Sequence, residues 1–100
     1  YPPYFRIIKL TLKQRDFDKL KDGSMWLYQV MRQNLDMPVL GPEEPVISRI
    51  RNEYIRTIIV KIPQNTSIGN TKKMIQKILN SFEAVAQYRA IKVTSNVDFY

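Results

Sequence analysis

Basic residues recur at alternate positions of several short stretches that also alternate in hydrophobicity. The set, all of one sign, consists of Lys9, Lys13, Arg49, Arg51, Lys61 and Lys92. Threonines follow the same alternation at Thr11, Thr57 and Thr94. Cations clustered on one side of a sheet bind phosphates and release condensed counterions, and hydroxyl groups add neutral hydrogen bonds. The pattern therefore indicates nucleic-acid backbone binding. The alternative is that the lysines keep an exposed sheet soluble and discourage edge pairing.

The composition excludes most catalytic chemistry. The 100 residues include no cysteine and no histidine, which excludes a thiolate nucleophile, an imidazole base, a zinc finger and a disulfide framework. Residues 13–16 contain no glycine, so the first predicted strand is not followed by a glycine-rich phosphate loop. We expect no catalytic site, no metal site and no cofactor in this chain.

The charge balance and the hydrophobic fraction indicate the general class of the chain. Sixteen Lys and Arg against nine Asp and Glu give a formal net charge of +7, which favours a polyanionic partner. A hydrophobic fraction of 44% is typical of a soluble globular domain. No apolar run is long enough for a bilayer and no secretory signal is recognisable. We expect one cytoplasmic domain over residues 1–100, with no membrane partner.

Local patterns predict the order β-α-β-β-α-β. Alternation predicts four strands, at residues 5–13, 46–51, 54–62 and 89–97. Apolar residues at three- and four-residue steps predict a helix over residues 16–35 with Asp16 as N-cap, and a second from Ser67 to about residue 86. Because glycine is unfavourable inside a helix, the alternative is that the first helix is interrupted at Gly23 and a new helix begins there. Residues 36–45 contain three prolines and are predicted to be an irregular loop apart from a short extended piece at Val39-Leu40.

Two β-α-β halves with right-handed crossovers interleave as a four-stranded antiparallel sheet with both helices on one face, the α+β ferredoxin-like arrangement. The residues expected beneath the helices are Ile8, Leu10, Leu12, Ile58, Val60, Ile62, Ile91, Val93 and Val97. The basic set then lies on the opposite, open face. Tyr54 and Tyr88, near strand ends, are candidates for stacking on a base, with packing over the core as the alternative. Central positions such as Thr57 and Ile59 are not aromatic, so no sequence-specific reading of bases is expected.

Four motifs together carry a family resemblance. They are YPPY at residues 1–4, VLGPEEP at residues 39–45, RIR at residues 49–51 shortly before Tyr54, and NVD at residues 96–98. These resemble the YPPF, VLGP-x-x-P, arginine-rich hairpin and D-V-D-P motifs of the C-terminal domain of primosomal protein N′ (PriA), the replication-restart helicase. The chain departs from that pattern at Ile55, where the family has arginine, and at Asn96 and Phe99, which replace an aspartate and a proline.

The resemblance implies a DNA-binding domain, not an enzyme, taken from a larger ATP-dependent 3′ to 5′ DNA helicase. It implies a fold similar to a small-subunit ribosomal protein and binding of single-stranded or branched DNA. The implied partners are the helicase lobes of the same chain and the single-stranded-DNA-binding protein, whose tail docks nearby. Two alternatives stay open: a protein-interaction brace that docks on the lobes through residues 39–45 and the region of Trp26, and a ribosomal-protein-like RNA-binding module.

Overall fold

The computed structural model describes the chain over residues 5–44, 49–50 and 52–99, and its side chains over residues 6–44 and 52–97. The elements in this part of the chain are β1 (Phe5–Gln14), α1 (Phe17–Asn34), β2 (Val39–Glu43), β3 (Arg49–Ile50), β4 (Glu53–Pro63), α2 (Ile68–Ala84), a 3-10 turn (Ala86–Tyr88) and β5 (Lys92–Phe99). The motifs at residues 1–4 and at Pro45 lie outside the described residues.

The strands form an antiparallel sheet in the order β2-β4-β1-β5, and β3 pairs with β4 beyond the end of β2. The two central strands, β1 and β4, are long and regular, with Ile8 opposite Val60 and Leu10 opposite Ile58. Strand β5 continues the sheet on the far side of β1, where Ile8 pairs with Val97. This order, with two helices between the strands, confirms the predicted ferredoxin-like α+β fold.

Helix α1 begins where the sequence predicts. The side chain of Asp16 accepts hydrogen bonds from the backbone N–H groups of Asp18 (3.0 Å) and Lys19 (3.3 Å), which satisfies donors at the helix start. The helix continues through Gly23 without a restart. A Cβ atom at Gly23 would lie 2.5 Å from Cδ1 of Ile91, so this glycine allows α1 to approach the segment before β5 closely.

Helix α2 begins with Ser67, whose hydroxyl accepts from the N–H of Asn70 at 3.3 Å. Its buried residues, Thr71, Ile75, Ile78 and Phe82, follow the predicted three- and four-residue spacing. The helix ends at Ala84, two residues before the predicted end, and the chain then makes the 3-10 turn.

The core lies between the helices and one face of the sheet, which we call the covered face. Leu10, Leu12 and Ile58 on this face, and Leu27 and Phe82 on the helices, are completely buried. All the residues predicted beneath the helices belong to this core or pack against it. No helix in the described ranges is long and apolar enough to cross a membrane.

The second strand differs from the prediction. The segment that pairs with Thr57 to Val60 is β2, inside the predicted loop, whereas the predicted strand at residues 46–51 contributes only Arg49 and Ile50 among the described residues. An edge strand tolerates proline, because one side of its backbone has no partner to lose. The register shifts between Leu40 and Glu43, where Gly41 has a φ of 109°. The predicted extended piece at Val39-Leu40 is thus the start of β2, and the prolines concealed the rest of the strand and its pairing.

The hairpin between β3 and β4 was predicted, and the structure contains it. Ile50 pairs with Glu53 and Arg49 pairs with Tyr54. Asn52 lies in the turn with a φ of 66°, a left-handed conformation that asparagine adopts more readily than most residues. The last strand also differs in its bounds, because β5 begins at Lys92 and Ile91 packs below it.

Candidate nucleic-acid interface

The face of the sheet opposite the helices, which we call the bare face, carries four of the predicted phosphate ligands. Strand register places residues that are directly opposite one another on the same face. Lys13 lies opposite Lys92, Lys9 lies opposite Ile59, and Lys61 lies opposite Ile7. Because Leu10 and Leu12 point into the core, these alternate positions point away from it. The structure therefore brings together the lysines of β1, β4 and β5.

The register also gives the spacing of the lysines. Lys13 and Lys92 are directly opposite, so their Cβ atoms are about 5 Å apart, and Lys9 and Lys61 are diagonal neighbours at about 7–8 Å. Lys9 and Lys13 are four residues apart on β1, which is roughly 13 Å along the strand. The bare face thus holds two pairs of lysines, Lys13 with Lys92 and Lys9 with Lys61, separated along β1.

A row of threonines crosses the sheet between the two lysine pairs. Thr11 lies opposite both Thr57 and Thr94. The hydroxyl of Thr57 is buried and donates to the backbone carbonyl of Glu43 at 3.3 Å. Thr94 is exposed and Thr11 is half-buried. Of the three predicted hydroxyl groups, Thr94 is thus the most accessible to a ligand, and Thr57 instead joins β2 to β4.

Two apolar residues of the bare face lie directly opposite lysines. Ile55, opposite Lys13, and Ile7, opposite Lys61, are both buried even though no helix lies over them. Lys13 and Lys61 are themselves only partly exposed. Lysine commonly lays its methylene stem along apolar surface and keeps its ammonium group in water. The register therefore places each of these two lysines beside a buried isoleucine.

The bare face is not of one sign, in contrast to the prediction. Oε2 of Glu53 lies 3.5 Å from Nζ of Lys92. Glu53 precedes Ile55 by two residues on β4, so it shares the bare face. It neutralises the cation that faces Lys13. Glu53 falls between the predicted strands at residues 46–51 and 54–62, so the alternation did not predict its carboxylate on this surface.

The two arginines of the hairpin were also predicted to bind phosphate. The backbone of Arg49 pairs with Tyr54 at the start of β4. Its register position is therefore shared with Tyr54 on the covered face and not with the lysines of the bare face, in contrast to the prediction. The side chain of Arg49 and the whole of Arg51 lie outside the described residues. Their roles stay predictions.

The two tyrosines proposed for stacking do not lie on the bare face with the lysines. Tyr54 is half-buried on the covered face, and its ring meets that of Phe17 edge-on with centroids 5.2 Å apart. Tyr88 is buried, with its ring stacked on Phe82 at 5.4 Å and tilted against Trp26 at 6.0 Å. Both positions fit the alternative of core packing, and Trp26 belongs to the same aromatic cluster.

Two residues of interest were missed by the sequence reasoning. Leu40 on β2 is 42% exposed and lies opposite Ile59 on the bare face. Arg56 lies on the covered face opposite Leu12. The alternation of Ile58 and Val60 predicts this position for Arg56, but the residue was not included among the residues beneath the helices. Leu40 belongs to the extended piece predicted at Val39-Leu40, but the sequence did not predict that this piece pairs with β4.

Arg56 makes a polar patch at one end of the covered face. Its Nη1 donates to Oγ of Ser24 at 3.4 Å, its Nη2 lies 3.8 Å from Oε1 of Glu44, and its guanidinium lies 5.5 Å from the centroid of the Phe17 ring. Its Nε is buried and has no hydrogen-bond partner in the described part of the chain. These contacts join α1, β4 and the segment after β2, which is a structural role.

Residues that could hold a metal ion were also sought. Within the described ranges, no three or more acidic side chains come close enough to form such a group.

The fold and the surface define a class of protein: a small ferredoxin-like α+β domain whose helix-free sheet face carries lysines. Comparison of sequences gives the family. Residues 1–99 match the family described as primosomal protein N C-terminal domain, and the chain belongs to that family, as its motifs predicted.

One curated relative and two solved structures resemble the chain. Replication restart protein PriA of Bacillus subtilis (strain 168) is 22% identical over 102 residues, which span all of this chain and 12% of the relative. The de novo designed protein Foldit4 aligns with a TM-score of 0.66 at 10% identity, covering 93% of this chain and 94% of the design. A hydantoinase/carbamoylase family amidase from Burkholderia ambifaria aligns with a TM-score of 0.56 at 11% identity, covering 99% of this chain and 28% of the amidase. At these identities the two structures show the fold alone.

Proposed function

We propose that this domain binds single-stranded or branched DNA through the bare face, as the C-terminal part of a replication restart helicase. The observation that carries the proposal is the placement of Lys9, Lys13, Lys61 and Lys92 on one helix-free face. The family and the name of the Bacillus subtilis relative support it. Within this proposal the domain takes no part in ATP hydrolysis. Its partners are DNA and the helicase lobes of the longer protein, and it acts in the cytoplasm.

The binding mode follows from the chemistry of the surface. Lysine ammonium groups bind phosphates as point charges without regard to base identity. If four lysines each neutralise one phosphate of a single strand, log K falls with log salt with a slope of about −3. If Arg49 and Arg51 also contribute, the slope is about −4. The salt dependence of binding thus counts the phosphate contacts.

An anisotropy titration with single-stranded, duplex and forked oligonucleotides at several salt concentrations tests the proposal. The charge-reversed variant is Lys9→Glu with Lys13→Glu, and its matched control is Lys72→Glu with Lys77→Glu on the exposed side of α2. Both variants change the net charge equally. We expect the first to weaken binding about 10-fold or more at low salt and to flatten the slope, with a much smaller change in the control.

Equal losses in the two variants would mean that binding depends on net charge and not on the bare face. A salt-independent affinity of the unmodified chain would contradict the proposal directly. Arg49→Glu with Arg51→Glu tests the hairpin separately, since loss of binding there adds these arginines to the interface.

A second candidate is an interaction surface for the rest of a longer protein. The chain spans 12% of the curated relative, and Leu40 presents an exposed aliphatic side chain on the edge strand β2. In this case the domain packs against the helicase lobes or the single-stranded-DNA-binding protein. A pull-down with those proteins at physiological salt, combined with absence of DNA binding, would favour the second candidate.

A further inference from the structure

The bare face carries an aliphatic surface at its β2 edge, next to Lys9 and Lys61. Leu40 is 42% exposed and lies directly opposite Ile59, which is half-buried. We call these two residues the aliphatic pair. Ile59 in turn lies opposite Lys9, and Lys61 follows it by two positions on β4. Ammonium groups thus stand on two sides of an apolar contact surface.

The position of Leu40 is fixed by the backbone around it. The N–H of Lys61 donates to the carbonyl of Pro38 at 2.9 Å on one side of Leu40, and Thr57 donates to the carbonyl of Glu43 on the other. Between them, Gly41 comes so close to β4 that a Cβ atom would lie 2.7 Å from the carbonyl oxygen of Thr57. Strand β2 is therefore held tightly against β4, and Leu40 is presented in one place.

This combination of charges and apolar surface selects among nucleic acids. A duplex offers phosphates but keeps the faces of its bases stacked inside, whereas a single strand offers phosphates and unstacked base faces together. Aliphatic side chains contact base faces without hydrogen bonds, so they do not distinguish one base from another.

We propose that the aliphatic pair packs against the faces of unpaired bases while Lys9 and Lys61 bind the neighbouring phosphates, so that the bare face prefers single-stranded DNA to duplex DNA. This inference rests on the proposed function and adds the form of the ligand. Its chemical basis is complementarity: cations for the phosphates and apolar surface for the bases.

The test compares three probes of equal length: oligo-dT, an abasic strand that keeps the sugars and phosphates, and a duplex. Leu40→Ser removes apolar surface from the bare face, and Met74→Ser is the matched control, because Met74 on α2 is 40% exposed. We expect Leu40→Ser to weaken oligo-dT binding about fivefold, with no change for the abasic strand and an unchanged salt slope. Met74→Ser leaves all three affinities unchanged.

A second variant changes the affinity in the opposite direction. Leu40→Tyr provides an aromatic face on which a base can stack, and we expect it to strengthen binding of oligo-dT about threefold without affecting the abasic strand. The gain separates base contact from any loss of folding in Leu40→Ser. Urea unfolding of each variant checks that the fold is retained.

The outcomes separate this inference from the proposed function. If Leu40→Ser weakens oligo-dT and the abasic strand equally, or if Met74→Ser has the same effect, the inference is wrong while lysine-dependent binding stands. If none of the probes binds in a salt-dependent manner, the proposed function fails and the inference fails with it.

Discussion

The covered face and the bare face use alternate residues of the same strands, yet they impose different requirements on the sequence. Leu10 on β1 is completely buried, and its neighbour Lys9 is exposed. Burial of an aliphatic side chain contributes about 1.5–3 kcal/mol to stability, while an exposed lysine contributes little. Stability is therefore concentrated on the covered face, and the bare face is free to carry residues chosen for binding.

Each face also contains residues that depart from the contrast between a buried apolar face and an exposed basic face. The covered face holds the charged Arg56 opposite Leu12. The bare face holds two buried isoleucines, Ile7 and Ile55, opposite Lys61 and Lys13. The exceptions show that alternation assigns a residue to a face but does not decide how deeply it is buried. The following substitutions test how far the two faces are independent.

The largest expected effect is the contrast between two adjacent residues of β1. Leu10→Ala leaves a cavity in the core and is expected to lower the free energy of unfolding by about 3 kcal/mol. Lys9→Ala removes an exposed side chain and is expected to change it by less than about 0.5 kcal/mol. Urea denaturation of both variants measures the difference. Similar losses in both would show that the bare face also carries much of the stability.

A smaller loss in the free energy of unfolding is expected at Gly41 of the edge strand β2, which packs closely against β4. Gly41→Ala places a Cβ against the carbonyl oxygen of Thr57 at a φ of 109°, and a non-glycine residue there costs about 2 kcal/mol or more. Gly69→Ala is the control, because its nearest neighbour would be 3.8 Å away and alanine favours helix by up to about 1 kcal/mol. Thermal unfolding compares the two. A neutral Gly41→Ala would mean that β2 can move away from β4.

Arg56 tests whether the covered face requires the charge of this largely buried side chain, which is 15% exposed. Arg56→Met keeps the volume and removes the unpartnered Nε, so the free energy of unfolding is expected to stay within about 1 kcal/mol. Ser24 still donates to the carbonyl of Lys21 in this variant. Arg56→Ala also loses the packing on Phe17 and is expected to cost about 2 kcal/mol. A loss in Arg56→Met as large as in Arg56→Ala would assign the stability to the charge.

The parts of the fold that the sequence predicted are those that depend on local periodicity. The alternation of Ile8, Leu10 and Leu12 assigned β1 to a face, and the stripe from Leu20 to Met31 predicted α1, because each pattern is complete within a few turns or residues. Caps such as Asp16 were equally local. These signals need no knowledge of the partner segment.

The parts that were wrong or missed depend on pairing between distant segments. The sequence predicted only the extended piece at Val39-Leu40 of β2, because the strand is defined by its pairing with Thr57 to Val60 and the prolines around it favour a loop. The contact between Glu53 and Lys92 joins residues far apart in sequence and depends on the register of β4, β1 and β5. Alternation predicts the positions of the lysines on the bare face, but it does not predict the carboxylate of Glu53 beside Lys92.

The smallest expected effect is at that opposing charge, and it has opposite signs for stability and for binding. Glu53→Gln leaves Lys92 directly opposite Lys13 without its partner, which is unfavourable for like charges. Because ion pairs near the surface contribute little, the expected loss of stability is about 0.5 kcal/mol or less. The freed ammonium group is expected to raise the affinity for single-stranded DNA about twofold at low salt, a gain that higher salt screens. Glu83→Gln on α2 changes the net charge equally and is the control. A twofold gain in both variants would assign the effect to net charge, whereas a gain confined to Glu53→Gln would place the phosphates at the bare face, where a stabilising ion pair competes with the ligand.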